Sequence, residues 1–131
     1  MRTAQTFVWH GGDGRVVAYF SLAAHLLVRA ELPNRVGHGS PAVIPAVLVA
    51  RLALDVDLQG KGLGGELLWD GLTRARAASD IAAARLVVVD AIDASAAGFY
   101  EHYGCTRIPG NPYRLVQRMS DVAAALDHAV E

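Results

Sequence analysis

The segment Gln59-Gly60-Lys61-Gly62-Leu63-Gly64-Gly65 constrains this chain more than any other. Four glycines fall within six residues, between an apolar run that reads as a strand and a stretch with helical periodicity. Glycines at the mouth of a helix leave backbone N–H groups uncovered and let a ligand approach the main chain closely. With the positive end of the helix macrodipole they form a cradle for a pyrophosphate. The fold must therefore contain a strand-turn-helix unit. Which phosphate-bearing cofactor the turn takes decides the function.

The rest of the pattern builds an α/β chain around that unit. Thr6-Phe7-Val8-Trp9 and Arg15–Ala24 are strand-like and flank the turn His10-Gly11-Gly12-Asp13-Gly14, which predicts a β-hairpin. Leu26–Val36 fits neither period and ends in the breaker cluster Leu32-Pro33-Asn34-Arg35. Ala46–Leu54 is a nearly continuous apolar run, as in strands buried on both faces. From Leu63 the residues Leu67, Leu68, Leu72, Ala75 and Ala78 recur at helical spacing. Arg85–Ala91 reads as a second buried strand. Asp93 or Ser95 can cap a short helix that Gly104 ends. Tyr113–Met119 predicts a last strand and Ser120–Val130 an alanine-rich amphipathic helix. The expected order is a hairpin first, then β-α-β-α-β, then a C-terminal helix, in a mixed sheet. No linker or repeat divides residues 1–131, so one domain is expected.

Composition removes several classes. The chain of 131 residues is 53% apolar and 19% charged, a globular balance. No apolar run approaches the roughly 20 residues of a membrane span, and no signal-peptide pattern is present, so the expected location is cytoplasmic, with no membrane partner. A formal net charge of −1 neither suggests nor excludes nucleic acid, although it is weaker than the basic footprint such binders usually carry. The single Cys105 reads as a buried thiol. Histidines 10, 25, 38, 102 and 128 show no ligand spacing, so no metal site is expected. The absence of a G-x-S-x-G elbow argues against a serine hydrolase. Trp9 and Trp69 read as core, and Arg74 and Arg76 as a solvated helix face. Arg51 fits either a phosphate or substrate contact or a pair with Asp55.

Three motifs compete for the glycine run. Gly60, Gly62 and Gly65 match G-x-G-x-x-G, and Asp90 ends the next strand where a ribose-binding carboxylate would sit. A dinucleotide fold nevertheless needs the first glycine directly after its strand, and Asp55–Gln59 intervene here. It also needs further β-α units beyond Asp90 and has no place for the hairpin. A nucleotide P-loop requires Lys-Ser/Thr, and Lys61 is followed by Gly62. The third parsing is Gln59-x-x-Gly62-x-Gly64.

In that parsing the chain resembles the GNAT superfamily of acetyl-CoA-dependent N-acetyltransferases, whose signature is [QR]-x-x-G-x-[GA]. The likeness runs from about Phe7 to Met119. It includes Phe99-Tyr100 and Tyr103-Gly104-Cys105, placed where the family carries F-Y-x-x-x-G-[FY], with Cys105 in place of the usual aromatic. Ile44–Asp55, the Gly-Leu-Gly-Gly-Glu-Leu-Leu helix start and Val89-Asp90-Ala91 are similar to one subgroup, the acetyltransferase toxins of bacterial toxin–antitoxin pairs.

The resemblance implies acetyl-CoA as cosubstrate. The amides of Gly60, Lys61, Gly62, Leu63, Gly64 and Gly65 would face its pyrophosphate, with side-chain contacts from Gln59 and Lys61. Leu52, Ala53 and Leu54 would offer a strand edge to the pantetheine arm, splayed from the Arg85–Ala91 strand. Tyr100 would be the proton donor to the leaving thiolate. The subgroup's acceptor is the amino group of aminoacyl-tRNA, and its partner is a ribbon-helix-helix antitoxin. Small-molecule amine acetylation, or CoA binding and protein interaction without turnover, are the alternatives. The family's usual leading strand and two helices have no counterpart before Thr6. Exposed apolar hairpin faces, a homodimer and a weakened acceptor site are the corresponding expectations.

Overall fold

The computed structural model describes residues 4–55, 59 and 63–129, with the backbone alone at Arg51, 80–82 and 128–129. Strands β1 (Gln5–His10) and β2 (Val16–Val28) form the expected hairpin. In its turn Gly14 sits at φ +83, which a side chain would resist, and the Gly11 N–H donates to the Arg15 carbonyl at 2.8 Å. β2 continues beyond the expected Ala24. β3 (Val43–Leu54) starts early enough to pair with it, Leu26 against Pro45 and Val28 against Val43. Pairing thus settles a segment whose own periodicity is ambiguous. A 3-10 turn (Arg29–Glu31) and the short α1 (Asn34–Gly37) complete that connection.

α2 (Leu63–Ala82), β4 (Leu86–Asp90) and α3 (Ala94–His102) follow as the sequence predicts. The end of the chain departs from expectation. Instead of one last strand there is a second hairpin, β5 (Thr106–Ile108) with β6 (Asn111–Arg118), before α4 (Met119–Ala129). Three residues are too few to show a period, which is why β5 escapes a sequence reading. The described strands form one mixed sheet in the order β1-β2-β3-β4-β6-β5, with β3 and β4 parallel.

The sheet is apolar on both faces. Phe20, Val47, Val49, Val87, Val89 and Leu115 meet Leu67, Leu68, Leu72 and Ala75 of α2 and Val122 and Leu126 of α4. Leu27, Ile44, Ala46, Leu86, Val88 and Val116 face the other way, against Leu32 and Val36. Burying a leucine or valine fully stabilises by about 1.5–3 kcal/mol, and Leu86–Val89 are all at most 1% exposed. β4 is the centre of the fold, as its unbroken apolar run implies.

One expectation needs correction. Trp69 is 40% exposed, not core. It lies on the flank of the α2 stripe, one residue past Leu68, where the helix turns its side chain about 100° from the sheet. Arg74 and Arg76 lie on the solvated face of α2, as expected, and each is paired there. Arg74 bonds Asp70 at 3.1 Å and stacks over Phe7 at 4.3 Å, and Arg76 forms a two-pronged pair with Asp127 of α4 at 2.7 and 3.2 Å. Trp9 packs against the core, and its indole N–H donates to Asp70 at 2.9 Å. Val8, Val16 and Tyr19 of the first hairpin are exposed, as expected. Among the described residues no helix is long and apolar enough to cross a membrane.

Candidate active site

The parallel pairing of β3 and β4 runs from Ala46–Leu86 to Val49–Val89 and then stops. The cause is visible in the register on the other side of β3. Tyr19 pairs with Ala53 but Ser21 pairs with Ala50, so β3 carries one residue more than β2 over this stretch. That is a β-bulge, which bends its strand and sharpens the local twist. It falls just past the last residue paired to β4. Beyond it β3 follows β2 to Leu54, while β4 ends at Asp90, and a wedge opens between them.

The wedge is a cavity of about 480 Å³. Leu52 and Leu54 line one side, Asp90, Ile92 and Asp93 the other. Gly64 and Gly65 at the start of α2 form one end, and Ser95, Ala96, Phe99, Tyr100 and Tyr103 of the α3 region close the back. Two helix N-termini therefore face one opening. That of α3 is satisfied internally, since the Asp93 carboxylate accepts from the Ala96 N–H at 2.8 Å.

The strand edge has its main chain turned into the wedge. The Asp55 N–H donates to the Val17 carbonyl at 2.7 Å, so by strand alternation the N–H and C=O of Leu54 point away from β2. The Leu54 carbonyl accepts from the Gln59 side-chain amide at 3.0 Å. Gln59 thereby staples the glycine loop to the strand end. Ala53 pairs with Tyr19 in the sheet and lies outside the cavity lining. Leu63 opens α2 beside the cavity without lining it. Gly60, Lys61 and Gly62 lie outside the described residues, as does the side chain of Arg51.

Tyr100 is 4% exposed and lies edge-on to Phe99, centroids 5.5 Å apart. Its hydroxyl makes no hydrogen bond among the described residues and opens on the cavity. Burial, then the neighbouring Cys105 and Asp90, push its pKa up to about 12, so it is protonated at every physiological pH. Gly104, at φ +101, ends α3 and lets the Cys105 N–H return to the Tyr100 carbonyl at 3.1 Å. Cys105 is the expected inert thiol, with burial pushing it up to about 12. Gly65 lets the Tyr103 side chain approach closely: a Cβ there would overlap the Tyr103 hydroxyl and displace it.

One array at the wall was not legible as a unit. Arg114 of β6 grips Asp90 with two prongs at 2.7 and 2.8 Å and reaches His25 Nε2 at 3.0 Å. Arg114 donates, so His25 accepts through Nε2 and carries its proton on Nδ1. Burial, reinforced by the Arg114 charge, lowers the His25 pKa and keeps it neutral. The partners are 24 and 89 residues apart in sequence, beyond any local pattern. Among the described residues no cluster of three or more metal-ligating groups occurs.

A hairpin-first mixed sheet whose central parallel pair is pried apart beside a glycine-led helix is the architecture of the GNAT N-acetyltransferases. Comparison with known proteins carries this further. No family model matches the chain. A tRNA-acetylating toxin of Mycobacterium tuberculosis is 37% identical over 114 residues, covering 87% of this chain and 69% of that protein. The structure of AtaT complexed with acetyl-methionyl-tRNAfMet superposes with a TM-score of 0.84 at 24% identity, covering 94% of this chain and 75% of AtaT. The structure of AtaTR bound with acetyl-CoA gives 0.75 at 25% identity, over 93% of this chain and 73% of that one. The chain belongs to the family of acetyltransferase toxins.

Proposed function

We propose that this chain, as one acetyltransferase domain acting in the cytoplasm, moves the acetyl group of acetyl-CoA to the amino group of an aminoacyl-tRNA. The observation that carries the reading is the wedge itself: an opened strand edge, a glycine-led helix N-terminus and a protonated Tyr100 converge on one cavity. Its volume of about 480 Å³ suits a pantetheine arm with its acetyl group. Membership of the toxin family supports the choice of acceptor.

The residues divide the chemistry as follows. The amides at the start of α2, with Gly60–Gly62 and Lys61 ahead of them, hold the pyrophosphate. The Leu54 N–H, aimed into the wedge, pairs with the pantetheine arm or with the oxygen that becomes negative during attack. An α-amino acceptor has a pKa of about 8, so a useful fraction is neutral near pH 7 without a strong base. Tyr100 donates a hydrogen bond to the departing sulfur. With its own pKa at about 12 it keeps its proton, because a thiol ionises near 8.5. The proton that neutralises the thiolate is the one the amine loses in becoming an amide. Atoms balance without any further reactant.

Two partners complete the proposal: a ribbon-helix-helix antitoxin and a second copy of this chain. The exposed Val8, Val16 and Tyr19 of the first hairpin support a protein-covered surface there. Sedimentation at micromolar concentration reads the oligomeric state, and a monomer would remove the second copy. The transfer itself is read by incubating the chain with acetyl-CoA and charged tRNA and detecting N-acetylated aminoacyl-tRNA by mass spectrometry. Turnover on a polyamine but not on charged tRNA would replace the acceptor. CoA binding without turnover on either would leave an interaction protein.

A further inference from the structure

A second cavity, of about 260 Å³, lies at the other end of β4 from the wedge. It gathers His38 and Ser40 from the loop after α1, Arg85 at the start of β4, Arg118 at the end of β6 and Ser120 in the first turn of α4. No carboxylate is among its lining residues, in a chain whose net charge is −1. Arg118 has one neighbour of opposite sign, Asp121, at 3.2 Å and half exposed. Arg85 and His38 form no ion pair among the described residues.

Two further features point at an anion. Ser40 is only 7% exposed and makes no side-chain hydrogen bond among the described residues; since none of their buried side-chain polar atoms lacks a partner, its hydroxyl is open to the cavity it lines. The start of α4 also adds its positive dipole end, through Ser120. The backbone beneath is fixed, since the Arg85 N–H donates to Pro45 at 2.9 Å and the Met119 N–H to the Arg85 carbonyl at 2.8 Å.

We infer that this cavity is a phosphate site, and that the phosphate it takes is a backbone phosphate of the RNA acceptor. The inference rests on the reading of the wedge as the aminoacyl end. Leu86 lines this cavity and Asp90 lines the wedge, on the same face of one strand. Four residue steps of a strand span about 13 Å. The cavity therefore grips the RNA a short way back from the reacting end.

The test uses the full chain and deacylated tRNA, so that it is scored whether or not acetyl transfer occurs. Binding is measured across a salt series for wild type, Arg85→Gln and, as a charge-matched control outside the cavity, Arg107→Gln. Loss of one phosphate contact flattens the log–log salt slope by about 0.7–0.9, and Arg85→Gln should bind about 5-fold more weakly at low salt. Arg107→Gln should keep the wild-type slope. Inorganic phosphate, titrated into labelled wild type, should shift the backbone resonances of His38, Ser40 and Ser120. Melting curves confirm that the variants fold. Equal affinity and slope for wild type and Arg85→Gln would overturn the inference, even if free phosphate binds. So would equal losses in Arg85→Gln and Arg107→Gln, a lack of phosphate shifts, or wild type that does not bind tRNA. Failure of the wedge reading shows instead as wild type that binds tRNA and transfers no acetyl group.

Discussion

The two halves of the β3–β4 pair are built from similar residues and do opposite things. From Ala46 to Val49 the strands are zipped to Leu86–Val89, with side chains buried on both faces. From Leu52 to Leu54 the same strand runs free of β4 and lines a cavity. Nothing in the apolar character of Leu52-Ala53-Leu54 marks that change. One extra residue in β3, opposite Phe20, does it. The comparison teaches that the site comes from withheld pairing: main-chain groups that would close a ladder are left for a ligand.

The zipped half is broken most severely by charge. Val88→Asp places a carboxylate at a position 0% exposed, between Leu48 and Val116, and should leave no folded protein in a urea titration. The open half should lose function with fold intact. In Gly65→Ala the new methyl displaces the Tyr103 hydroxyl, and with it a ring that lines the wedge. The apparent affinity for acetyl-CoA should fall about 10-fold, with a melting temperature near wild type, as expected for a site change outside the core. Calorimetric titration reads the first and a thermal scan the second.

Smaller effects sharpen the boundary between the halves. Asp93→Ala removes the cap of α3 and should destabilise by about 1 kcal/mol in denaturant unfolding, with a lesser change in turnover. The smallest effect expected is a negative one. The rate should climb with pH as the acceptor amine loses its proton near pH 8. Tyr100 stays protonated below about 12, so no descending limb should appear through pH 9 in a pH–rate series with charged tRNA. A fall between pH 7 and 9 would mean that a different group donates.

How much of this was legible depends on how local each cause is. The glycine-led α2, the Asp93 cap, the Gly104 stop and the doubly buried β4 all follow from residues within a turn or a strand of one another. Tyr100 was found through its neighbours Phe99 and Tyr103-Gly104, and it does open on the cavity. The bulge was not legible, because a register exists only between two strands. The Asp90–Arg114–His25 array and the Gln59 staple were missed for the same reason: their partners meet only once the sheet is assembled. Asp90 is legible as a strand-end carboxylate, though within a dinucleotide motif that the hairpin rules out.

The account's central claim is that the open half of the pair is an acetyl-transfer site with Tyr100 at its wall. Single-turnover transfer from labelled acetyl-CoA to charged tRNA, by wild type and Tyr100→Phe side by side, tests it most directly. The account predicts N-acetylated aminoacyl-tRNA from wild type, and a rate lower by about 100-fold in Tyr100→Phe with acetyl-CoA affinity and melting temperature preserved. Equal rates in the two proteins would contradict it.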